Sequence, residues 1–356
     1  MSALPEQQRR PVRRKASSGR AREPAPARAP EVLAAAPVTP LTGQRWRIVA
    51  GKEFADHLLS VRFLVLVLIL GLAAAGAVYA AAGAIREAAP DVVGQPSLFL
   101  KLFTVAAEER LPSFLVLIGF LGPLLGIAFG FDSVNGERAE RTLPRLLAQP
   151  IHRDDVINGK FAAGLAVIGL IVVAITLVVA AIGILQLGIM PTPDDILRLI
   201  VWLVLAVAYV GFWLAFALLC SVLMRRAATS ALVAISLWLV LSLFAALLVG
   251  LLAGLLAPVP ADATGGQELA NLSLQQELAR LSPNRLFEEA TAALLDPSVR
   301  TVGFVLPVQV DRAVTSILPL DQSLLVIWPQ FVAIIAVTAV AFALAYVAFM
   351  RQEVRA

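Results

Sequence analysis

The sequence predicts an all-α integral membrane protein with six transmembrane helices, and its composition and apolar stretches support this. Apolar residues make up 59% of the 356 positions and charged residues only 15%, which is far from the balance of soluble domains. Six stretches reach about the 20 apolar residues that a bilayer crossing needs, and none contains Asp, Glu, Lys, Arg or His. They are residues 63–85, 113–131, 161–190, 199–224, 227–257 and 323–350. The third and fifth exceed a perpendicular crossing, which predicts tilt, a protruding end or a re-entrant turn.

The distribution of basic residues predicts the orientation. Most of the 29 lysines and arginines precede the first span, lie between spans two and three, or flank the Arg225–Arg226 link and the C-terminal end. Lys and Arg are enriched in cytoplasmic segments, so both termini are predicted to be cytoplasmic. We expect a multi-pass protein of the cell membrane.

The segments before the first span divide into a tail and a helix. Residues 1–44 are rich in Pro, Ala and Arg, which is typical of a disordered basic cytoplasmic tail. Its charge favours anionic membrane lipids, and nucleic acid is not an expected partner. Residues 45–60 have helical apolar spacing, which predicts an interfacial amphipathic helix with Trp46, Phe54 and Leu58 on its apolar face.

The remaining chain divides at its links. Residues 61–257 hold spans one to five, and a short helix is predicted near 98–109. Asp194 or Asp195 is expected to cap the fourth span. Residues 258–322 are predicted to form an extracellular cap with two amphipathic helices, 267–281 and 283–295, and a strand-like run, TVGFVLPVQV. Residues 323–356 give the sixth span and a short tail.

Several small or rigid residues inside the spans predict packing rather than chemistry. Pro123 and Pro329 are expected to kink their helices or leave carbonyls free. The pairs Gly122–Gly126 and Gly250–Gly254 match GxxxG, which permits close helix contact. Cys220 is predicted to be a small core residue.

The sequence lacks several catalytic and binding motifs, and their absence reduces the number of function classes to consider. The spans hold no carboxylate for gradient coupling, and the chain has neither HExxH nor GxxxxGK[ST]. No catalytic, metal-binding or cofactor-binding residue is therefore assigned. If the protein moves a substrate, the energy has to come from a partner.

The connector, residues 132–160, is where a partner is expected to act. It balances five acidic against five basic residues. A short amphipathic helix is predicted here, with an apolar stripe, an i, i+4 pair of Glu137 and Arg141, and a hydrogen bond between Arg138 and Thr142. The stripe consists of Leu143, Leu146 and Leu147, and the helix is expected to end at Pro150. The alternative is a solvated loop with accidental amphipathicity.

At these residues the chain resembles the permease subunits of ABC transporters of the ABC-2 exporter type. The matching residues are Glu137, Arg138, Glu140, Thr142, Leu143, Leu146, Leu147, Pro150, Arg153, Gly159 and Lys160. Arg141 stands where that family frequently has glycine, in the local turn.

The resemblance implies a half-transporter without a cofactor of its own. A second permease, identical or different, and two separate ATPase subunits carrying ATP and Mg would complete it. The connector would be the coupling helix, through Glu137, Arg138, Arg141, Thr142, Leu143, Leu146, Leu147, Pro150 and Arg153, and residues 45–60 the connecting helix. The apolar spans would suit a hydrophobic cargo.

Two other function classes remain open. A membrane scaffold or assembly subunit would use the 258–322 cap to hold extracellular partners. A membrane-embedded enzyme ranks last, because no catalytic constellation is present.

Overall fold

The computed structural model describes residues 45–87, 97–106, 112–142, 152–260, 262–296 and 318–352, and every regular element within these ranges is a helix. The elements before the connector are α1 (Arg45–Leu58), α2 (Val61–Glu87), α3 (Leu98–Thr104) and α4 (Phe114–Gly130). The connector and the next two spans give α5 (Asn135–Ala139), α6 (Arg153–Leu187) and α7 (Pro193–Leu223). The last elements are α8 (Ala227–Leu239), a π-helical turn (Val240–Phe244), α9 (Ala245–Leu256), α10 (Gly265–Ala279), α11 (Pro283–Leu295) and α12 (Leu320–Arg351).

The six predicted spans are confirmed. Six helical segments among the described residues are long and apolar enough to cross a membrane. The third, α6, has 35 residues and is about 50 Å long at 1.5 Å per residue. Its first two turns carry Asp154, Asp155 and Lys160 and form a charged end, and the apolar part that follows, residues 161–187, is itself longer than a perpendicular crossing needs.

The fifth span differs from a regular helix. α8 and α9 are joined by the π-helical turn, which carries Ser242. π-Turns inside α-helices are rare and occur frequently at functional sites. The GxxxG pair of α9, Gly250 and Gly254, has no atom within 4 Å of a built Cβ, so it makes no close contact within the described part of the chain.

The start of α7 corrects the predicted cap. Thr192 is the N-cap residue, and its hydroxyl accepts a hydrogen bond from the backbone N–H of Asp195. The Asp195 carboxylate in turn accepts from the backbone N–H of Thr192 at 2.9 Å. Asp195 is therefore the third-position partner of a capping box, while Asp194 forms an ion pair with Arg198.

The fourth span, α7, is the most buried of the six. α4 packs on it closely because its glycines leave no room for side chains. A Cβ at Gly126 would lie 2.5 Å from the Val210 carbonyl oxygen and 2.8 Å from the Leu214 nitrogen. The predicted close contact at Gly122–Gly126 is thus present, and Cys220 is buried as expected.

Helix α11 lies within the bundle alongside α7. Ten of its 13 residues are buried. Its Asn284 side-chain oxygen lies 2.9 Å from the Tyr209 hydroxyl, and the Phe287 and Tyr209 rings stack with their centroids 4.3 Å apart. Tyr209 is 16 residues from Pro193, which places α11 beside the middle of α7, about 24 Å along it.

A buried arginine fixes the other end of α11. Arg198 is fully buried and donates to the carbonyl oxygens of Leu294 and Leu318 and to the Ser323 hydroxyl, at 2.9, 2.7 and 3.0 Å. These hydrogen bonds provide donors for carbonyl oxygens next to the ends of α11 and α12, which have no partner within a helix. Consequently α7, α11 and α12 meet at one residue.

Several sequence predictions have a definite outcome here. The helix predicted near 98–109 is shorter, at Leu98–Thr104. The two amphipathic helices are confirmed as α10 and α11, with Pro283 in the first turn of α11. Pro123 and Pro329 both lie inside helices. The tail of residues 1–44 and the strand-like run 301–310 lie outside the described residues.

Candidate functional site

The first part of the connector is fixed to the end of α7. Ser221 is fully buried, and its hydroxyl oxygen accepts hydrogen bonds from the backbone N–H groups of Val134 and Asn135 at 2.9 and 3.2 Å. Val134 packs there against Ile157, Leu218 and Val222. The start of α5 is therefore held by hydrogen bonds and by apolar packing.

Lys160 joins three elements at this end of the bundle. Its side chain is only 3% exposed, and its ammonium lies 3.1 Å from the Glu53 carboxylate of α1 and 2.7 Å from the Glu137 carboxylate of α5. A buried ammonium is costly unless carboxylates surround it. The ion triad therefore ties the connecting helix, the connector and the third span together.

Gly159 lets α1 approach α6. A Cβ at this position would lie 2.7 Å from the Val49 Cβ and 2.9 Å from the Trp46 carbonyl oxygen. Val49 is buried, whereas the predicted apolar residues Trp46, Phe54 and Leu58 are half-buried. The helix predicted at residues 45–60 is thus present and packs on the spans mainly through Val49.

Two arginines attach the connector to the end of α12. Arg138 donates to the Val222 carbonyl oxygen at 3.2 Å and to the Gln352 side chain. Arg153, at the start of α6, donates to the Gln352 carbonyl oxygen at 3.0 Å. The Gln352 amide also donates to the Val222 carbonyl. The predicted site residues Arg138 and Arg153 thus share one partner.

Both pairings predicted inside the connector are wrong. Glu137 pairs with Lys160, and the structure records no ion pair between Glu137 and Arg141. Thr142 donates to the Glu137 carbonyl, from its backbone N–H at 2.9 Å and its hydroxyl at 3.2 Å, while the Arg138 guanidinium donates to Val222 and Gln352 and not to Thr142. The cause is that α5 ends at Ala139, so the i, i+4 geometry stops before Arg141.

The backbone conformation of Arg141 is one that favours glycine, the residue that is frequent at this position in ABC-2 exporter permeases. Its φ is +56°, in the left-handed region that glycine enters without a steric penalty. The turn therefore keeps the conformation that glycine favours although an arginine occupies it. Leu143, Leu146, Leu147 and Pro150 lie outside the described residues, so the apolar stripe stays a prediction.

An open groove of about 570 Å³ runs between α1 and the connector. Carboxylates outnumber cations along it, and Asp132 also pairs with Arg62 at 2.5 Å. Burial lowers the pKa of His57, which contacts the edge of the Phe129 ring. The ionisable lining residues are Lys52, Glu53, Asp56, His57, Asp132, Glu137, Glu140 and Lys160.

Sequence reasoning named Val49 among the apolar residues of α1 but missed the roles of three residues of this site, Glu53, Ser221 and Gln352. Glu53 lies four residues after Val49 on α1, and Lys160 follows Gly159, where α1 approaches α6. A search for a carboxylate one helical turn from a buried apolar residue would therefore have found Glu53. Ser221 and Gln352 gave no such signal. Their roles depend on the tertiary contacts of α7 and α12.

Six apolar helices, together with a connector that is bonded to α1, α6, α7 and the end of α12, are the features of a multi-pass membrane subunit. The family described as ABC-2 family transporter protein matches residues 47–354. The chain therefore belongs to the ABC-2 transporter family, which confirms the predicted permease resemblance. Membership implies partnership with an ABC ATPase subunit. Among curated proteins, none matches the chain.

Proposed function

We propose that this permease is coupled to ATP hydrolysis through α1 and the connector, which receive movement from a separate ATPase and pass it to the spans. The observation that carries this proposal is the Lys160 triad. It ties α1 to α5 and α6 through a buried ammonium. Force applied to either surface element therefore acts on the third span directly.

The remaining contacts distribute that force. Ser221 links the connector to α7, and Gln352 links Arg138 and Arg153 to the end of α12. Rigid elements joined by buried contacts transmit a displacement without dissipating it in side-chain motion. Spans two, three, four and six are thus connected at one end of the bundle.

The groove beside the connector supports a protein partner of basic character. Five carboxylates and two lysines line it, and complementary charge directs association and fixes the register of docking. In the proposed assembly, two ATPase copies carry ATP and Mg, and a second permease completes the transporter in the cell membrane. The connector end and both termini face the cytoplasm.

The direction and cargo are also part of the proposal. We assign the subunit to an exporter, as its resemblance to ABC-2 exporters implies, and its cargo to hydrophobic substrates, because the six apolar stretches contain no carboxylate, lysine, arginine or histidine. Coupling to an ion gradient normally needs such groups at membrane depth.

Affinity purification of the tagged chain in mild detergent tests the proposal. An ATP-binding subunit recovered in about equal amount, with ATPase activity that depends on the chain, is the expected result. A different membrane complex in its place would favour the scaffold and overturn the transporter assignment.

A matched pair of variants locates the docking surface. Leu146→Asp with Leu147→Asp is expected to abolish stimulation of the ATPase while the chain still inserts. The control is Met190→Asp, which alters a methionine that is 74% exposed in the link between α6 and α7, at the opposite end of α6 from the connector. Unchanged stimulation in the double variant would contradict docking at the connector.

A further inference from the structure

Two chambers flank the π-helical turn beside α11. The first, about 460 Å³, lies between α3, α4, the π-turn and α11. The second, about 570 Å³, lies between the π-turn, α9, α10 and α11. Leu241, Ser242, Asn284 and Glu288 line both chambers, so these four residues form the wall between them.

A chain of hydrogen bonds holds this wall. The Tyr209 hydroxyl donates to the Gly119 carbonyl oxygen at 2.7 Å and contacts the Asn284 side-chain oxygen at 2.9 Å. The Asn284 amide donates to the Ser242 hydroxyl oxygen at 2.7 Å. These bonds lie beside the middle of α7, so polar groups are concentrated at a depth where the spans themselves carry none that is charged.

The first chamber combines an apolar body with negative charge. Leu115, Val116, Phe120 and Phe287 contribute its apolar lining, and its charged lining residues within the described chain are Glu288 and Asp296. Aromatic rings attract cations through their faces. Among the described residues, a ligand that fills this chamber therefore meets aromatic rings and carboxylates, but no lysine or arginine.

Glu288 is incompletely neutralised by its neighbour. The Arg285 guanidinium lies 3.6 Å from the Glu288 carboxylate, and it also bonds the Glu289 carboxylate at 3.1 Å. Glu289 is buried and receives a second arginine, Arg280, at 3.1 Å. Arg285 is thus shared between two carboxylates, and Glu288, which lies farther from it, lines both chambers.

The second chamber has a buried group without a partner. Ser282 is 6% exposed, its hydroxyl makes no hydrogen bond to the residues that the structure describes, and it lines the chamber next to Gln275 and Arg285. Buried hydroxyls are almost always hydrogen-bonded. The chamber therefore offers a polar contact to a ligand or to ordered water.

We propose that the first chamber binds a bulky hydrophobic cation, with Glu288 as the counter-charge and Phe120 and Phe287 against the apolar body. This inference rests on the proposed transport function, since it names the cargo class of the exporter. An ionisable residue beside apolar spans is costly and marks a ligand path in membrane proteins. The Ser242–Asn284 hydrogen bond separates this site from the second chamber.

The test uses the full-length chain in nanodiscs of phosphatidylglycerol, whose headgroup carries no amine, without an ATPase. Equilibrium dialysis measures binding of tetraphenylphosphonium, and tetraphenylborate serves as a probe of the same shape and opposite charge. Empty nanodiscs correct for partition into lipid. Saturable binding of the cation and none of the anion is expected.

Two variants and a control locate the site. Glu288→Gln is expected to weaken cation binding about tenfold, through loss of the counter-charge. Glu268→Gln, an exposed acid of α10 that lines neither chamber, is expected to bind normally. Gly119→Val fills the first chamber, because a Cβ there meets the Phe287 ring at 3.7 Å, and should abolish binding.

The outcomes separate this inference from the proposed function. Equal binding of both probes, no saturable binding above empty nanodiscs, or identical affinity of the Glu288→Gln and Glu268→Gln variants would overturn the cation site. None of these results changes whether an ATPase is recovered with the chain. Displacement of the probe by phosphatidylethanolamine would assign the site to a lipid amine, and no displacement to a solute; both agree with cation binding.

Discussion

Replacing Lys160 by methionine is expected to release α1 from the bundle while the spans stay folded. The substitution keeps the aliphatic volume but leaves the Glu53 and Glu137 carboxylates, 13% and 20% exposed, without the ammonium between them. Removing one partner of a buried ion pair costs about 3 kcal/mol or more. Since about 1.4 kcal/mol is a factor of ten, backbone amides of α1 should exchange about a hundredfold faster.

Hydrogen exchange followed by mass spectrometry measures this effect peptide by peptide. Peptides from Arg45–Leu58 should lose protection, whereas those from α7 should not. Lys52→Met is the control, because Lys52 is 61% exposed and pairs with Glu53 and Asp56 at the surface, where ion pairs contribute below about 1 kcal/mol. Adding Glu53→Gln and Glu137→Gln to Lys160→Met should restore most protection. Equal exchange in the two lysine variants would refute the triad as the attachment of α1.

Two further predictions concern packing and pH. Gly126→Ala should lower the free energy of unfolding by about 2 kcal/mol, because the added Cβ would lie 2.5 Å from the backbone of α7. Gly250→Ala is the control and should change it little, because Gly250 has open space around it. Equal shifts of the melting temperature in the two purified variants would contradict the close packing at Gly126. Burial lowers the pKa of His57 from 6.5, so the unfolded chain binds a proton first and stability falls as pH drops through about 6.5. His57→Gln should flatten the thermal-stability profile between about pH 7 and pH 5, and an unchanged slope would contradict this assignment.

Apolar length and helical spacing predicted most of the fold. Each span is close to its predicted bounds, because a run without charge has to be helical across a membrane. The interfacial helix and α11 were predicted from spacing and from Pro283. The place of α11 was not predictable, because neither its sequence nor its length indicates that it packs beside Tyr209.

The site was predicted in part. Arg138, Arg153 and Lys160 were singled out from the motif, but their partners Gln352 and Glu53 come from distant segments. The same limit applies to charge within the bundle. The spans alone contain no carboxylate, yet the structure brings Glu288 beside them from a segment outside the spans. A count of charges within spans therefore underestimates the polarity near the core.

The position of α11 also constrains how the protein is made. Apolar spans enter the bilayer individually, whereas α11 carries Asn284, Arg285, Glu288 and Glu289 and is too polar for that route. We therefore expect α11 to enter its place from the aqueous side, once α7 and α12, on which it packs, are in the membrane. Substitutions that weaken the packing of α11 would then give chains that are fully inserted yet incompletely assembled.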